Sequence, residues 1–205
     1  MRPKILLCLI AVLLTLSAQA APRTVVLVGA SVGEAWDFPQ LASRQGKSGY
    51  ALAYEGVYDF DKGAALEQVL SRRPHPDAVI LKECAAYFPG DLPSYQKLVK
   101  RWVARCRQAS VVPILATACP VTEAGEQLQG ILAYNDWVRA YAAKEKLVVL
   151  DLEAAVRRSR TDRRLDPRCA DEDGLHLVPA GYRRLDQIVF PALDRALAGK
   201  RPPGH

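Results

Sequence analysis

Short apolar runs rich in β-branched residues alternate along this chain with longer stretches of helical period, and that alternation leaves few folds open. Thr24 to Val28, Ala51 to Tyr54, Ala78 to Leu81, Val111 to Ala116 and Leu147 to Leu150 read as strands. Their apolar residues run on without the in–out alternation of a half-exposed strand, as expected where both faces are covered, so the sheet should be parallel. Between them, Tyr95, Leu98, Val99, Trp102, Val103 and Cys106 keep the i, i+3, i+4 spacing of a core-facing helix, behind the start signals Asp91 and Pro93. Ile131, Tyr134, Val138, Tyr141 and Ala142 repeat the pattern. A last helix should begin near Pro179, pass through Tyr182, Leu185, Ile188 and Val189, and bend at Pro191, whose ring removes a backbone donor. The expected architecture is α/β, a three-layer α/β/α sandwich with a mostly parallel five-stranded sheet.

The N-terminus has a different logic. Arg2 and Lys4 precede an apolar run from Ile5 to Leu16, and Ala18-Gln19-Ala20 follows, which is the pattern of a secretory signal peptide over residues 1–20. The run is shorter than the about 20 apolar residues a membrane span needs. The expected product is therefore a single domain over residues 21–205, secreted or periplasmic, with no stable membrane span. Removing Arg2 and Lys4 takes the formal charge from +6 to +4, and no basic stripe interleaved with aromatics points to nucleic acid. The one dense basic cluster, Arg157, Arg158, Arg160, Arg163 and Arg164, reads as a solvated loop or helix end. Oligomeric state leaves no trace in the sequence.

Four cysteines follow the leader, Cys84, Cys106, Cys119 and Cys169. An even number in an exported chain suggests two disulfides. Cys84 and Cys119 each fall just past a strand, and neighbouring parallel strands would bring those ends together, which favours that pair and leaves Cys106 with Cys169. No C-x-x-C spacing occurs, and His75 and His205 lie in a Pro-rich turn and at the terminus, so neither metal nor cofactor is expected.

In open α/β sheets ligands bind beyond the carboxyl ends of the strands. Ser31 follows the first strand, Gly56 the second and Glu83 the third, while Asp173 and His176 follow the last. Taken alone, Ser31 is an ordinary helix cap and Asp173-Gly174-Leu175-His176 a surface turn. Taken together at one rim they compose a serine to attack, an imidazole to take its proton and a carboxylate to orient the imidazole. Gly29-Ala30-Ser31-Val32-Gly33 also fits the Gly-x-Ser-x-Gly elbow of α/β-hydrolases, but that elbow sits mid-chain with its acid well separated from its histidine. The three-glycine turn of a dinucleotide site is absent.

With these residues in place, the chain resembles the SGNH, or GDSL-like, hydrolase family over essentially its whole length after the leader. Val25-Val26-Leu27-Val28-Gly29-Ala30-Ser31 resembles the first family block, with alanine where the name-giving motif has aspartate, and Tyr54-Glu55-Gly56 resembles the second. Pro76-Asp77-Ala78-Val79-Ile80-Leu81 resembles the strand leading to the third block, Ala133-Tyr134-Asn135-Asp136-Trp137 a common helix segment, and Asp173-Gly174-Leu175-His176-Leu177 with Gly181-Tyr182 the fifth. The resemblance implies a flavodoxin-like sheet. It implies Ser31 as nucleophile, His176 as base and then acid, Asp173 as its support, and backbone N–H groups of Ser31 and Gly56 as oxyanion donors. The third block departs: Leu81-Lys82-Glu83-Cys84 stands where the family has Gly-x-Asn-Asp, and Glu83 takes the place of the donating asparagine. An ionised carboxylate only accepts, so Glu83 is expected to be protonated, turned away, satisfied by Lys82, an arginine or backbone donors, or engaged with a substrate group. The implied function is an exported esterase acting on acyl or acetyl esters of lipid or carbohydrate. A silent ligand-binding domain and an O-acyltransferase are the alternatives on the same residues. Trp36, Tyr58, Tyr87 and Phe88 are candidates to line the pocket.

Overall fold

The computed structural model describes residues 21–199, so the expected signal peptide and His205 lie outside the described residues. Strands β1 (Arg23–Gly29), β2 (Tyr50–Gly56), β3 (Ala78–Leu81), β4 (Val112–Ala116) and β5 (Val148–Leu150) form one sheet. Its order is β2-β1-β3-β4-β5 and every neighbouring pair is parallel. The helices are α1 (Ser31–Ala35), α2 (Leu41–Arg44), α3 (Gly63–Ser71), α4 (Leu92–Gln108), α5 (Glu126–Glu145), α6 (Leu152–Val156) and α7 (Pro179–Leu197).

Val25–Val28 of β1, all of β3 and Ile114–Ala116 of β4 are apolar and buried because both faces are covered. Val25 and Leu27 of β1 pack with α7 residues such as Leu185 and Val189, while Val26 and Val28 pack with Val99, Trp102 and Val103 of α4 and with Ile131 and Val138 of α5. Residues at successive positions of one strand thus feed two separate cores, giving three layers. The helical stripes read from spacing are the buried faces of α4 and α5. Asp91 occupies the N-cap of α4, but its side chain accepts from the Ser94 hydroxyl and caps no backbone N–H. Helix α7 continues through Pro191 to Leu197.

Two expectations are corrected here. Among the described residues no disulfide forms: Cys84, Cys106, Cys119 and Cys169 are free and buried. Cys106 belongs to the α4/α5 core and Cys169 to the α7 core, so the sheet itself stands between the members of the second expected pair. Burial pushes the Cys106 thiol up to about 12 and that of Cys119 to about 11, so both behave as small apolar side chains. The arginine cluster is not simply solvated either. Arg163 donates to the buried carboxylate of Glu153 at 2.6 and 2.8 Å, Arg139 joins it at 2.9 Å, and Arg164 pairs with Asp162 at 2.7 Å. Desolvation would raise the Glu153 carboxyl, but the hydrogen bonds from Arg163 and Arg139 hold it down at about 2.

Register decides where the site lies. Gly29 sits opposite Gly56, and Val28 opposite Leu81, so the carboxyl ends of β2, β1 and β3 finish level. In this strand order the chain leaves β1 toward β2 and leaves β3 in the opposite direction toward β4, which opens a crevice between β1 and β3.

Candidate active site

Ser31 opens α1, separated from the end of β1 by Ala30 alone, and Ala30, extended at φ −112°, holds the N-cap position. Ser31 is therefore not the helix cap. Its Oγ lies 2.9 Å from His176 Nε2, across 145 residues of sequence, and His176 Nδ1 lies 2.5 Å from Asp173 Oδ2. The other carboxylate oxygen of Asp173 accepts the backbone N–H groups of Leu175 and His176, both at 2.9 Å. The His176 side chain and these two backbone donors hold the Asp173 carboxyl down at about 2. An ionised carboxylate has no proton to give, so His176 Nδ1 carries the hydrogen, leaving Nε2 to accept from the Ser31 hydroxyl.

The turn carrying the histidine is built by its own backbone. Asp171 N–H donates to the His176 carbonyl at 2.9 Å and Gly174 N–H to the Asp171 carbonyl at 3.0 Å, while Thr122 N–H, from the loop after β4, donates to the Gly174 carbonyl at 3.0 Å. Gly174 has φ +68°, and a Cβ there would collide with the Thr122 hydroxyl, so this position requires glycine. Asn135 of α5 fixes the same β4 loop by accepting from Ala118 N–H at 2.8 Å and donating to its carbonyl at 2.9 Å.

Two residues without an expected role support the Ser31 side of the crevice. The Tyr54 hydroxyl reaches the carbonyls of Gly29 and Ala30, at 3.2 and 3.1 Å, and so ties β2 to the turn that presents Ser31. Its ring packs so closely on Gly33 that a Cβ there would meet it at 2.8 Å. Past Gly56, Val57 N–H donates to the Gly29 carbonyl at 2.7 Å and the Tyr58 hydroxyl donates to Glu34, one turn beyond Ser31. The second residue is Lys62. It is fully buried, and its Nζ donates to Glu83 Oε2 at 2.7 Å and to the Asp59 carbonyl at 3.2 Å.

Glu83 thus has a partner other than those expected: Lys62 takes its carboxylate, and the Lys82 ammonium donates at 3.0 Å to its carbonyl. Burial pushes the Glu83 carboxyl up to about 7, against the pull of Lys62 and Lys82. The structure brings Ser31, His176 and Asp173 into one hydrogen-bonded chain and sets Gly56 beside Gly29, but commits Glu83 to the buried aromatic layer. Trp36 and Phe88 belong to the core, Trp36 donating to Asp186 at 2.7 Å, whereas Tyr58 is 61% exposed at the rim. A cleft of about 320 Å³ between α1 and α7 is walled by Ala35, Trp36, Pro179 and Tyr182, one helical turn from Ser31. A larger recess of about 510 Å³ between α4 and α5 contains none of the five candidate residues. Among the described residues no three His, Cys, Asp or Glu side chains are grouped to hold a metal ion.

Tyr54 was legible only as an inward strand residue two before Gly56. Lys62 carried no signal, because nothing in a sequence pairs residues 21 apart.

The family model described as GDSL-like Lipase/Acylhydrolase family matches residues 11–184. No curated protein matches the chain in sequence. Among solved structures, a GDSL-like lipase from Bacteroides thetaiotaomicron is 18% identical with a TM-score of 0.67, covering 88% of this chain and 94% of its own. An acetyl xylan esterase is 20% identical with a TM-score of 0.68, covering 83% and 99%. A variant of an acetyl-xylooligosaccharide esterase from Geobacillus is 16% identical with a TM-score of 0.64, covering 91% and 99%. At these identities the likeness is one of fold.

Proposed function

The chain belongs to the GDSL-like lipase/acylhydrolase family, and on that premise we propose that it is an exported serine esterase, cleaving acyl or acetyl esters of lipid or carbohydrate through an acyl-enzyme on Ser31. The observation that carries this reading is the unbroken contact from Ser31 Oγ through His176 to an ionised Asp173.

In the first half-reaction Ser31 Oγ attacks the ester carbonyl carbon as His176 Nε2 takes its proton. The imidazolium so formed is stabilised by Asp173, and the proton then passes to the departing alkoxide. Water, deprotonated by the same nitrogen, attacks the acyl carbon and releases the acid and the serine. Charge develops on the carbonyl oxygen in both halves. The N–H of Ser31, in the first turn of α1, has no acceptor within the helix and is one candidate donor; that of Gly56 is the other. Each such donor is typically worth about 2.7–4 kcal/mol to the rate. The Tyr54 hydroxyl steadies this arrangement by holding the two carbonyls that precede the nucleophile.

Fluorophosphonate labelling tests the reading. The expected result is one covalent adduct on Ser31 in the wild type and none in Ser31→Ala. A folded wild-type protein that takes no label would instead be a silent ligand-binding domain. Export is tested separately by the N-terminal residue of the mature protein, expected at Ala21.

A further inference from the structure

The loop that follows Gly56 is held from beneath by charges. We propose that the buried ion pair Lys62–Glu83 is a latch that positions residues 57–60, the strap bordering the nucleophile, and that both side chains are positioning residues for the site. The inference deepens the esterase reading and rests on it only where activity is measured.

Both partners are withdrawn from water, Lys62 at 0% and Glu83 at 1% exposure, and their contact is 2.7 Å. Lys62 stands at the N-cap of α3 but caps nothing with its side chain; it turns back over the strap. There its ammonium also binds the Asp59 carbonyl and lies 5.6 Å from the Phe60 ring centroid and 5.1 Å from that of Tyr87. Phe60 is stacked on Tyr95 at 3.6 Å, and the Tyr87 hydroxyl donates to the Val57 carbonyl at 3.4 Å. The upper side of the strap is tied to the site, through Val57 N–H to Gly29 and Tyr58 to Glu34. One short segment therefore joins the latch below to the β1 turn and α1 above.

Such a pair is costly to bury and gains little net stability over apolar side chains of the same size, so its presence between a loop and a strand end calls for a reason other than stability. Geometry supplies one. Glu83 is anchored in the backbone at the end of β3, while Lys62 is anchored at the start of α3. Their contact ties the start of α3 to the end of β3, and the strap runs from the end of β2 to that tethered start. Glu83 thereby bears on the site through the backbone it anchors, its Oε2 being taken by Lys62.

The test compares Glu83→Gln, which keeps an oxygen to accept from Lys62, with Lys62→Met and with the double variant Lys62→Met/Glu83→Leu, in which both charges are gone. Two readouts are taken at pH 8 on the folded protein: hydrogen exchange of amides 56–60, and the rate of fluorophosphonate labelling with kcat and KM on a short-chain nitrophenyl ester. We expect the double variant to melt at or above the wild-type temperature while its strap amides exchange faster, and its kcat and labelling rate fall about tenfold to hundredfold with KM little changed. Glu83→Gln should lie between it and the wild type. Strap exchange at the wild-type rate in the folded double variant overturns the latch. Faster exchange with unchanged kcat overturns the positioning role. A wild type that neither labels nor hydrolyses sinks the esterase reading instead, and exchange at 56–60 still decides the latch.

Discussion

Two acid–base contacts flank the crevice, and they are built on opposite principles. Asp173 and His176 meet at 2.5 Å with side chains 50% and 39% exposed; Lys62 and Glu83 meet at 2.7 Å with none. The Asp173 carboxyl is held down at about 2 by His176 and two backbone N–H groups, whereas burial drives that of Glu83 up to about 7. A short contact to a basic side chain does not by itself set a carboxyl group. What matters is how many donors replace the lost water, and Glu83 Oε1 has none in protein. The exposed pair keeps its contact with water, while the buried one is closed off from it.

The largest effects should come from breaking the exposed contact. Ser31→Ala or His176→Ala is expected to lower kcat on the order of 10⁶-fold. Asp173→Asn should cost about 10⁴-fold, because an amide nitrogen facing His176 Nδ1 favours the tautomer that cannot accept from Ser31. Global unfolding should barely register either change. The buried contact should invert that pattern. Lys62→Met alone leaves the Glu83 carboxylate without its partner and should cost about 3–5 kcal/mol in urea unfolding near pH 8, most of it recovered in the double variant. Tyr54→Phe, which removes the hydroxyl from the Gly29 and Ala30 carbonyls, should cost about 0.5–1.5 kcal/mol and slow labelling of Ser31.

The smallest effect is the most diagnostic. Glu83 in the folded protein binds its proton more tightly than at its ordinary value of 4.5. Its contribution to stability is therefore full below about 4.5 and is lost as pH rises through about 7. Lys62, Lys82, Tyr87, Tyr95 and Tyr134 are the other titratable groups around it, and the tyrosines stay neutral in that range. Glu83→Gln should flatten the fall in melting temperature between pH 4.5 and 7 relative to the wild type. Asp173→Asn should leave that window alone, since a depressed carboxyl contributes above its ordinary value and loses its contribution only as pH falls toward about 2. An equal response of both variants across pH 4.5 to 7 would erase the distinction.

Much of the fold was legible because the signals are local. The five apolar runs are the five strands, with ends shifted by a residue or two, and the stripes of α4 and α5 face the core as their spacing requires. The position of Ser31 was legible for another reason: parallel topology sends the end of every strand to one rim, and Ser31 follows β1 directly, whereas the Asp173–His176 turn lies well past β5, beyond α6, and only tertiary structure brings it to Ser31. The cysteines failed because parity and compartment say nothing about which side of a sheet a thiol faces. The arginines failed because their partners Asp136, Glu153 and Asp162 are scattered in sequence.

What the sequence determined alone is therefore periodic or adjacent: strand and helix identity, the Asp173–His176 turn with its obligatory Gly174, and the serine at the end of β1. Tertiary structure alone decided which charges share a buried volume. The free energy of an ionised side chain depends on the water removed around it and on donors brought from other elements, and neither is written in its neighbours along the chain. Lys62 and Glu83, ordinary surface types by composition, became the most buried pair of charges at the site for that reason.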